Sequence, residues 1–224
     1  MTVAYHPRSD WATAGPSYPM TPAPVGSNRD GWVWHWPGPY TDYGRDWPAE
    51  LDSYRRYHQN TQRWSFLAYN FAVDPDGGIW EGRGWDHRNA ANSGANQSTY
   101  SVLFLGTGRR GGGEEVPPTE AAINAALRLR AEWPGDGTVR PHAEVSHTGT
   151  DCPGQLITAA IGSIDEDTMS SIMYGSIVAA YQVGGRMPSP KEVKAWIAEI
   201  RDKQHDVDDT CDYIAHVVAT ETQP

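Results

Sequence analysis

Residues 69–85 read "YNFAVDPDGGIWEGRGW", and the pattern of this stretch indicates β-strands. The apolar and aromatic residues on both sides of "PDG", residues 75–77, have the composition of β-strands. Proline, aspartate and glycine in succession favour a tight turn, because they supply a fixed φ, local hydrogen bonds and a permitted positive φ. We therefore predict two strands joined by a tight turn.

Three more segments have strand composition. The run "YSVLFLG" is apolar at both odd and even positions, which is typical of a strand buried on both faces of a sheet. The segment at residues 137–145 is short and is predicted to continue into a loop. The segments are "GWVWHW" (31–36), "YSVLFLG" (100–106) and "GTVRPHAEV" (137–145).

Helical patterns lie between these strands. In "PAELDSYRRYHQ" the apolar residues Leu51, Tyr54 and Tyr57 recur at helical spacing. The run "PPTEAAINAALRLRAEW" (117–133) opens with a threonine cap, and "GQLITAAIGS" (154–163) has the pattern of a short helix. Because strands and helices interleave, the chain is predicted to form an α/β domain with one layered core.

The two ends of the chain differ from this middle part. Residues 1–30 are rich in proline, glycine and serine, which indicates an irregular arm. Residues 1–165 contain no lysine, whereas residues 166–224 hold all three lysines and three helical patterns. We predict a first domain over 1–165 and a small all-α unit over 166–224.

Composition and charge exclude several classes of protein. A formal net charge of −10 opposes nonspecific binding to nucleic acid and to anionic membrane surfaces. No run of about 18 apolar residues predicts a membrane span, and no basic segment leads into an apolar one as in a signal peptide. Two cysteines cannot form a disulfide framework, so the fold depends on its core.

A possible metal site follows from three residue types. His35 ends one predicted strand, His142 follows another, and Cys152 lies on the turn "DCPG". Two imidazoles and a thiolate fill three positions of a tetrahedral zinc site and leave one open, as in catalytic sites. Eight histidines produce such triples by chance, and core histidines and small buried cysteines are common. Spacing alone therefore leaves both interpretations open.

Several ordered motifs narrow this choice. Residues 69–85, "NSGANQSTYSVLFLG" (92–106) and "PHAEVSHTGTDCPG" (141–154) together resemble the family of peptidoglycan recognition proteins and N-acetylmuramoyl-L-alanine amidases, which includes the amidase-type phage lysozymes. The resemblance covers roughly residues 25–160. It implies a mixed central β-sheet flanked by helices, and peptidoglycan as the partner, with contacts to both its glycan strand and its stem peptide.

The resemblance also implies functional residues. It places one Zn²⁺ on His35, His142 and Cys152. It implies that Tyr69 and Thr150 assist at the scissile carbonyl, and that three residues line the substrate groove: Trp36, Arg83 and Asn92.

Alternatives remain for most of these residues. His147 lies five positions before Cys152, but "HAEV" matches the family context and favours His142. Tyr69 has the alternative role of a core residue and Thr150 that of a local hydrogen-bonding residue. Arg83 has the alternative role of bracing its loop. Asn92 stands where the family often has a histidine. Three further histidines are predicted to be ordinary surface or structural residues: His58, His87 and His205.

The implied function is zinc-dependent hydrolysis of the amide bond between N-acetylmuramic acid and L-alanine. Arginine far outnumbers lysine, which favours the endolysin of a phage that infects a high-GC bacterium. Such a protein accumulates in the host cytoplasm and reaches the cell wall after holin-mediated release. Phage endolysins commonly pair an amidase with a targeting domain, so the all-α unit over 166–224 is expected to bind the cell wall; dimerisation and stabilisation are the alternatives. The alternatives are a recognition module that binds peptidoglycan without cutting it and a bacterial wall-remodelling amidase. Cys152 favours an enzyme, because family members that only bind commonly lack this cysteine.

Overall fold

The computed structural model describes residues 4–12, 20–22, 29, 31–132 and 138–164. Within these residues lie eight strands, four α-helices and a 3₁₀ turn at Arg8–Asp10. In chain order the elements are β1 (Tyr5–His6), β2 (Trp32–His35), α1 (Trp47–Asn60), β3 (Phe71–Val73), β4 (Ile79–Glu81), β5 (Tyr100–Phe104), β6 (Gly108–Arg109), β7 (Glu115–Val116), α2 (Glu120–Ala131), β8 (Val139–Pro141), α3 (His142–Val145) and α4 (Gly154–Ile164).

Six of the strands form one mixed sheet. Their spatial order is β1, β4, β3, β5, β2 and β8, in which β3 and β4 pair antiparallel and all other neighbours pair parallel. Helices flank this sheet, so the predicted α/β fold class is confirmed. None of the helices in the described part of the chain is long and apolar enough to cross a membrane.

The centre of the sheet is the best-buried part of the fold. Every residue of β2 and β5 is buried, as the apolar run at both parities predicted. Trp32 pairs with Tyr100 in register, and their rings stack with centroids 4.9 Å apart. Burying large aromatic side chains stabilises the fold strongly, so β2 is held firmly up to its last residue, His35.

The turn between β3 and β4 is organised by one carboxylate. Oδ1 of Asp74 accepts the backbone N–H groups of Asp76 and Gly78, and its Oδ2 accepts the indole N–H of Trp80 at 2.7 Å. Gly77 has φ +88°, a conformation that glycine adopts without strain. The predicted pair of strands and its tight turn are therefore confirmed.

Four short elements were not predicted, namely β1, β6, β7 and α3. β1 lies within the N-terminal arm and pairs with β4. β6 and β7 form a hairpin around "RRGGG". The predicted loop after Pro141 begins instead as the single helical turn α3.

The contacts between Cα atoms divide the chain into the units Met1–Ile157 and Thr158–Pro224. The predicted boundary near 165 and the all-α unit lie outside the described residues and stay predictions.

Candidate metal centre and cleft

Three ligand-type side chains meet at the ends of two neighbouring strands. His35 ends β2, and His142 follows β8 directly. The two histidines lie side by side, because β2 and β8 run parallel and Trp34 pairs with Pro141. Cys152 joins them from the turn before α4. The donor atoms of the three side chains all lie within 4.8 Å of one another. Among the residues the structure describes, this is the only cluster of histidine, cysteine or acidic side chains with metal-site geometry.

The backbone fixes the position of Cys152. Its carbonyl oxygen accepts the N–H of Ala143 in α3 at 2.8 Å, and its own N–H donates to Oγ1 of Thr150 at 3.2 Å. Gly154, which follows a cis Cys152–Pro153 bond, has φ +80°, and a Cβ there would lie 2.6 Å from the ring of Trp36. The "CPG" turn therefore needs glycine at its third position.

Burial sets the charge of the cluster. It holds the pKa of His35 well below its usual value of 6.5, with His142 lowering it further, and it also lowers the pKa of His142. Burial raises the pKa of the Cys152 thiol to about 12. Neutral imidazoles are the form that binds a metal. A thiol with a raised pKa is a poor nucleophile until a metal displaces its proton.

The cluster lies in an open cleft of about 310 Å³. Trp36, Tyr69 and Thr150 line this cleft together with the three ligand-type residues. The rings of Tyr69 and His35 lie 5.1 Å apart. Burial, and then the charge of Cys152, raises the pKa of Tyr69, so its phenol keeps its proton. The hydroxyl of Thr150 accepts from Cys152 N and still has a proton to donate.

Two residues predicted for the substrate groove have other contacts. The Arg83 guanidinium is buried and donates to the backbone carbonyls of Leu67, Arg88 and Phe66. It therefore braces its loop, which was the alternative interpretation. Asn92 is fully buried and contacts His35 through its side chain. Neither residue lines the cleft, so both groove assignments are corrected: their polar groups are already used inside the protein.

His58, which was predicted to be an ordinary surface or structural residue, lines the cleft. Its Nδ1 accepts the N–H of Ala68 at 3.2 Å, and its ring stacks on Trp64 at 5.0 Å. Burial, and then the charge of Arg83, lowers its pKa to about 4. The predicted helix stripe included Tyr57, which is 52% exposed. A stripe through Leu51, Tyr54 and His58 has equally good helical spacing and would have found this residue.

His147, the alternative ligand, is exposed and lies outside the cluster. At the rim of the cleft, Arg109 bridges two carboxylates, with 2.8 Å to Asp151 and 3.2 Å to Glu115. Its guanidinium lies 5.1 Å from the centre of the Trp36 ring. The unpredicted hairpin of β6 and β7 thus holds the turn that carries the cysteine.

Comparisons with known proteins identify relatives of this chain. A family model described as N-acetylmuramoyl-L-alanine amidase matches residues 27–155. The human N-acetylmuramoyl-L-alanine amidase is 35% identical over 129 residues, which are 53% of this chain and 20% of that protein. The chain thus corresponds to about a fifth of that relative.

Solved structures share the fold. Drosophila PGRP-LB has a TM-score of 0.61 at 23% identity, with 75% of this chain and 97% of that chain covered. Peptidoglycan recognition protein-LE in complex with tracheal cytotoxin, a monomeric diaminopimelic acid-type peptidoglycan, has a TM-score of 0.61 at 24% identity, with coverages of 73% and 99%.

Proposed function

The chain belongs to the N-acetylmuramoyl-L-alanine amidase family, and on this premise we propose that it uses one zinc ion to hydrolyse the amide bond between N-acetylmuramic acid and L-alanine in peptidoglycan. The observation that carries the proposal is the set of His35, His142 and Cys152, whose donor atoms lie within 4.8 Å of one another in an open cleft.

The donor set fits zinc. Two nitrogen donors and one sulfur donor suit this borderline-soft ion, and three protein ligands leave a position for water or substrate. Burial keeps both imidazoles neutral, as ligation requires. A zinc ion held there would polarise a carbonyl oxygen and lower the pKa of a water molecule.

Two side chains of the cleft are suited to act on the substrate. The raised pKa of Tyr69 keeps its phenol protonated at neutral pH, so it is a hydrogen-bond donor. Thr150 holds a second hydroxyl donor beside the cysteine. We propose that both orient the scissile carbonyl and stabilise its oxygen as negative charge develops. In other enzymes, one such donor contributes about 2.7–4 kcal/mol to the lowering of the barrier.

The alternative is recognition of peptidoglycan without cleavage. The solved relative in complex with tracheal cytotoxin supports binding of a peptidoglycan fragment in this fold. The complete ligand set supports catalysis, because binding alone does not require it.

We further propose that the protein is a phage endolysin, which accumulates in the host cytoplasm and acts on the cell wall after release. Its partner would be peptidoglycan, contacted through both glycan strand and stem peptide. The support is the resemblance of the motifs to amidase-type phage lysozymes and the excess of arginine over lysine. In this proposal, residues 166–224 bind the wall.

Incubation of the purified protein with peptidoglycan tests the enzymatic proposal. We expect new L-alanine amino termini to appear with zinc and to disappear when a chelator is added. Cys152→Ser should be inactive, whereas His147→Ala, which changes an exposed histidine outside the cluster, should be active. Tight binding to peptidoglycan without release of amino termini by the zinc-loaded protein would support recognition instead.

A further inference from the structure

Asn92 connects the candidate metal centre to the loop behind it. Its side chain is fully buried between His35 and Thr99. Oδ1 of Asn92 lies 2.7 Å from Nε2 of His35, and Nδ2 donates to Oγ1 of Thr99 at 2.7 Å. Every polar atom of this carboxamide therefore faces a protein partner rather than the cleft.

The direction of each hydrogen bond from Ala95 through Thr99 and Asn92 to His35 is determined. The Thr99 hydroxyl donates its single proton to the carbonyl of Ala95 at 2.7 Å, so it accepts from Asn92 Nδ2. The other end of the amide, Oδ1, then faces His35. A carbonyl oxygen only accepts, so Nε2 of His35 carries the hydrogen and the lone pair of the neutral ring is on Nδ1. That Nδ1 lies 3.6 Å from Sγ of Cys152.

The loop holds Asn92 in place. Its backbone N–H donates to Oδ1 of Asn96 at 2.8 Å and to Oδ1 of Asn89 at 3.1 Å. Asn89 is itself fully buried and donates to the carbonyl of Thr99 at 2.8 Å. Buried polar groups are costly unless they are paired, and here the pairing leaves the carboxamide one favourable orientation.

We propose that Asn92 is a positioning residue that, oriented by Thr99, holds His35 in the Nε2–H tautomer and so presents Nδ1 to the metal before binding. The inference deepens the proposed zinc centre and rests on it for the identity of the ion. Partners of this kind fix the orientation of a ligating histidine, and their loss typically weakens metal binding about 10–100-fold.

Long-range ¹⁵N–¹H NMR of the metal-free protein measures the tautomer directly. We expect Nε2–H at His35 in the wild type. Asn92→Leu should give a mixture of tautomers and a zinc affinity about 10–100-fold lower in a chelator competition. Asn92→Asp retains an oxygen acceptor and should keep the tautomer and the zinc affinity of the wild type. Thr99→Val frees the amide to rotate, and it should give a smaller loss and a mixed tautomer.

The outcomes separate this inference from a packing role and from the proposed function. Wild-type tautomer and affinity in Asn92→Leu would overturn it, as would an Nε2–H tautomer in Thr99→Val as complete as in the wild type. If Asn92→Leu does not fold, failure of Asn92→Asp to keep the tautomer overturns it. A protein with the expected tautomer and zinc affinity that does not cut peptidoglycan would overturn the proposed function and leave this inference intact.

Discussion

His58 is expected to make the stability of the fold depend on pH. Its ring is largely buried against Trp64, and its Nδ1 accepts the N–H of Ala68. Protonation at Nδ1 would place one N–H against another and bury a charge beside Arg83. The substitution His58→Asn is a matched control, because the Asn Oδ1 occupies nearly the position of Nδ1 and accepts the same hydrogen bond without titrating.

The magnitude follows from the pKa of His58, which is lowered from 6.5 to about 4. Between these pH values the unfolded chain binds a proton at His58 that the folded protein does not bind. The free energy of unfolding therefore falls as the pH falls, by ~1.4 kcal/mol for each pH unit. Over the interval the wild type should lose about 3 kcal/mol more than His58→Asn, with no further difference below pH about 4.

Denaturant unfolding of the metal-free proteins at a series of pH values measures this difference. The lowered pKa values of His35 and His142 act in both proteins and cancel in the comparison. The NMR shift of the His58 ring against pH gives its pKa independently. A midpoint near 6.5, or identical pH dependence of the two proteins, would show that burial does not lower the pKa of His58.

Three other substitutions test separate parts of the structure. Tyr69→Phe should lower kcat for peptidoglycan hydrolysis about 100-fold or more with unchanged zinc content, because it removes only a donor; an unchanged kcat excludes that role. Asp74→Asn should reduce the free energy of unfolding by about 2–3 kcal/mol, because the new amide N–H faces the indole N–H of Trp80; denaturant unfolding with Trp80→Phe in a double-mutant cycle checks the coupling. Gly154→Ala should lower the midpoint of thermal unfolding, since its Cβ would meet the Trp36 ring, and an unchanged midpoint contradicts this.

The elements predicted correctly carry their own signal in the sequence. β5 is buried on both faces and has apolar residues at both odd and even positions. α2 begins after Thr119, whose side chain accepts the N–H of Ala122. β1 and the hairpin of β6 and β7 have only two residues in each strand. Strands this short have no periodicity, and only their tertiary partners define them.

The site shows the same division. The resemblance of the ordered motifs to the family implies His35, His142 and Cys152 as ligands, and the parallel pairing of β2 and β8 brings the two histidines to one edge of the sheet. The resemblance implies Arg83 and Asn92 as groove residues, but a sequence does not show which way a side chain points. Arg83 instead contacts backbone carbonyls, and Asn92 lies behind a histidine.

Metal analysis of purified variants tests the proposed zinc ligands. We expect one zinc ion per chain in the wild type and in His147→Ala. We expect none in His35→Ala, His142→Ala or Cys152→Ala, provided that circular dichroism shows these variants folded. Retention of zinc by His142→Ala together with its loss from His147→Ala would show that His147, and not His142, is the ligand.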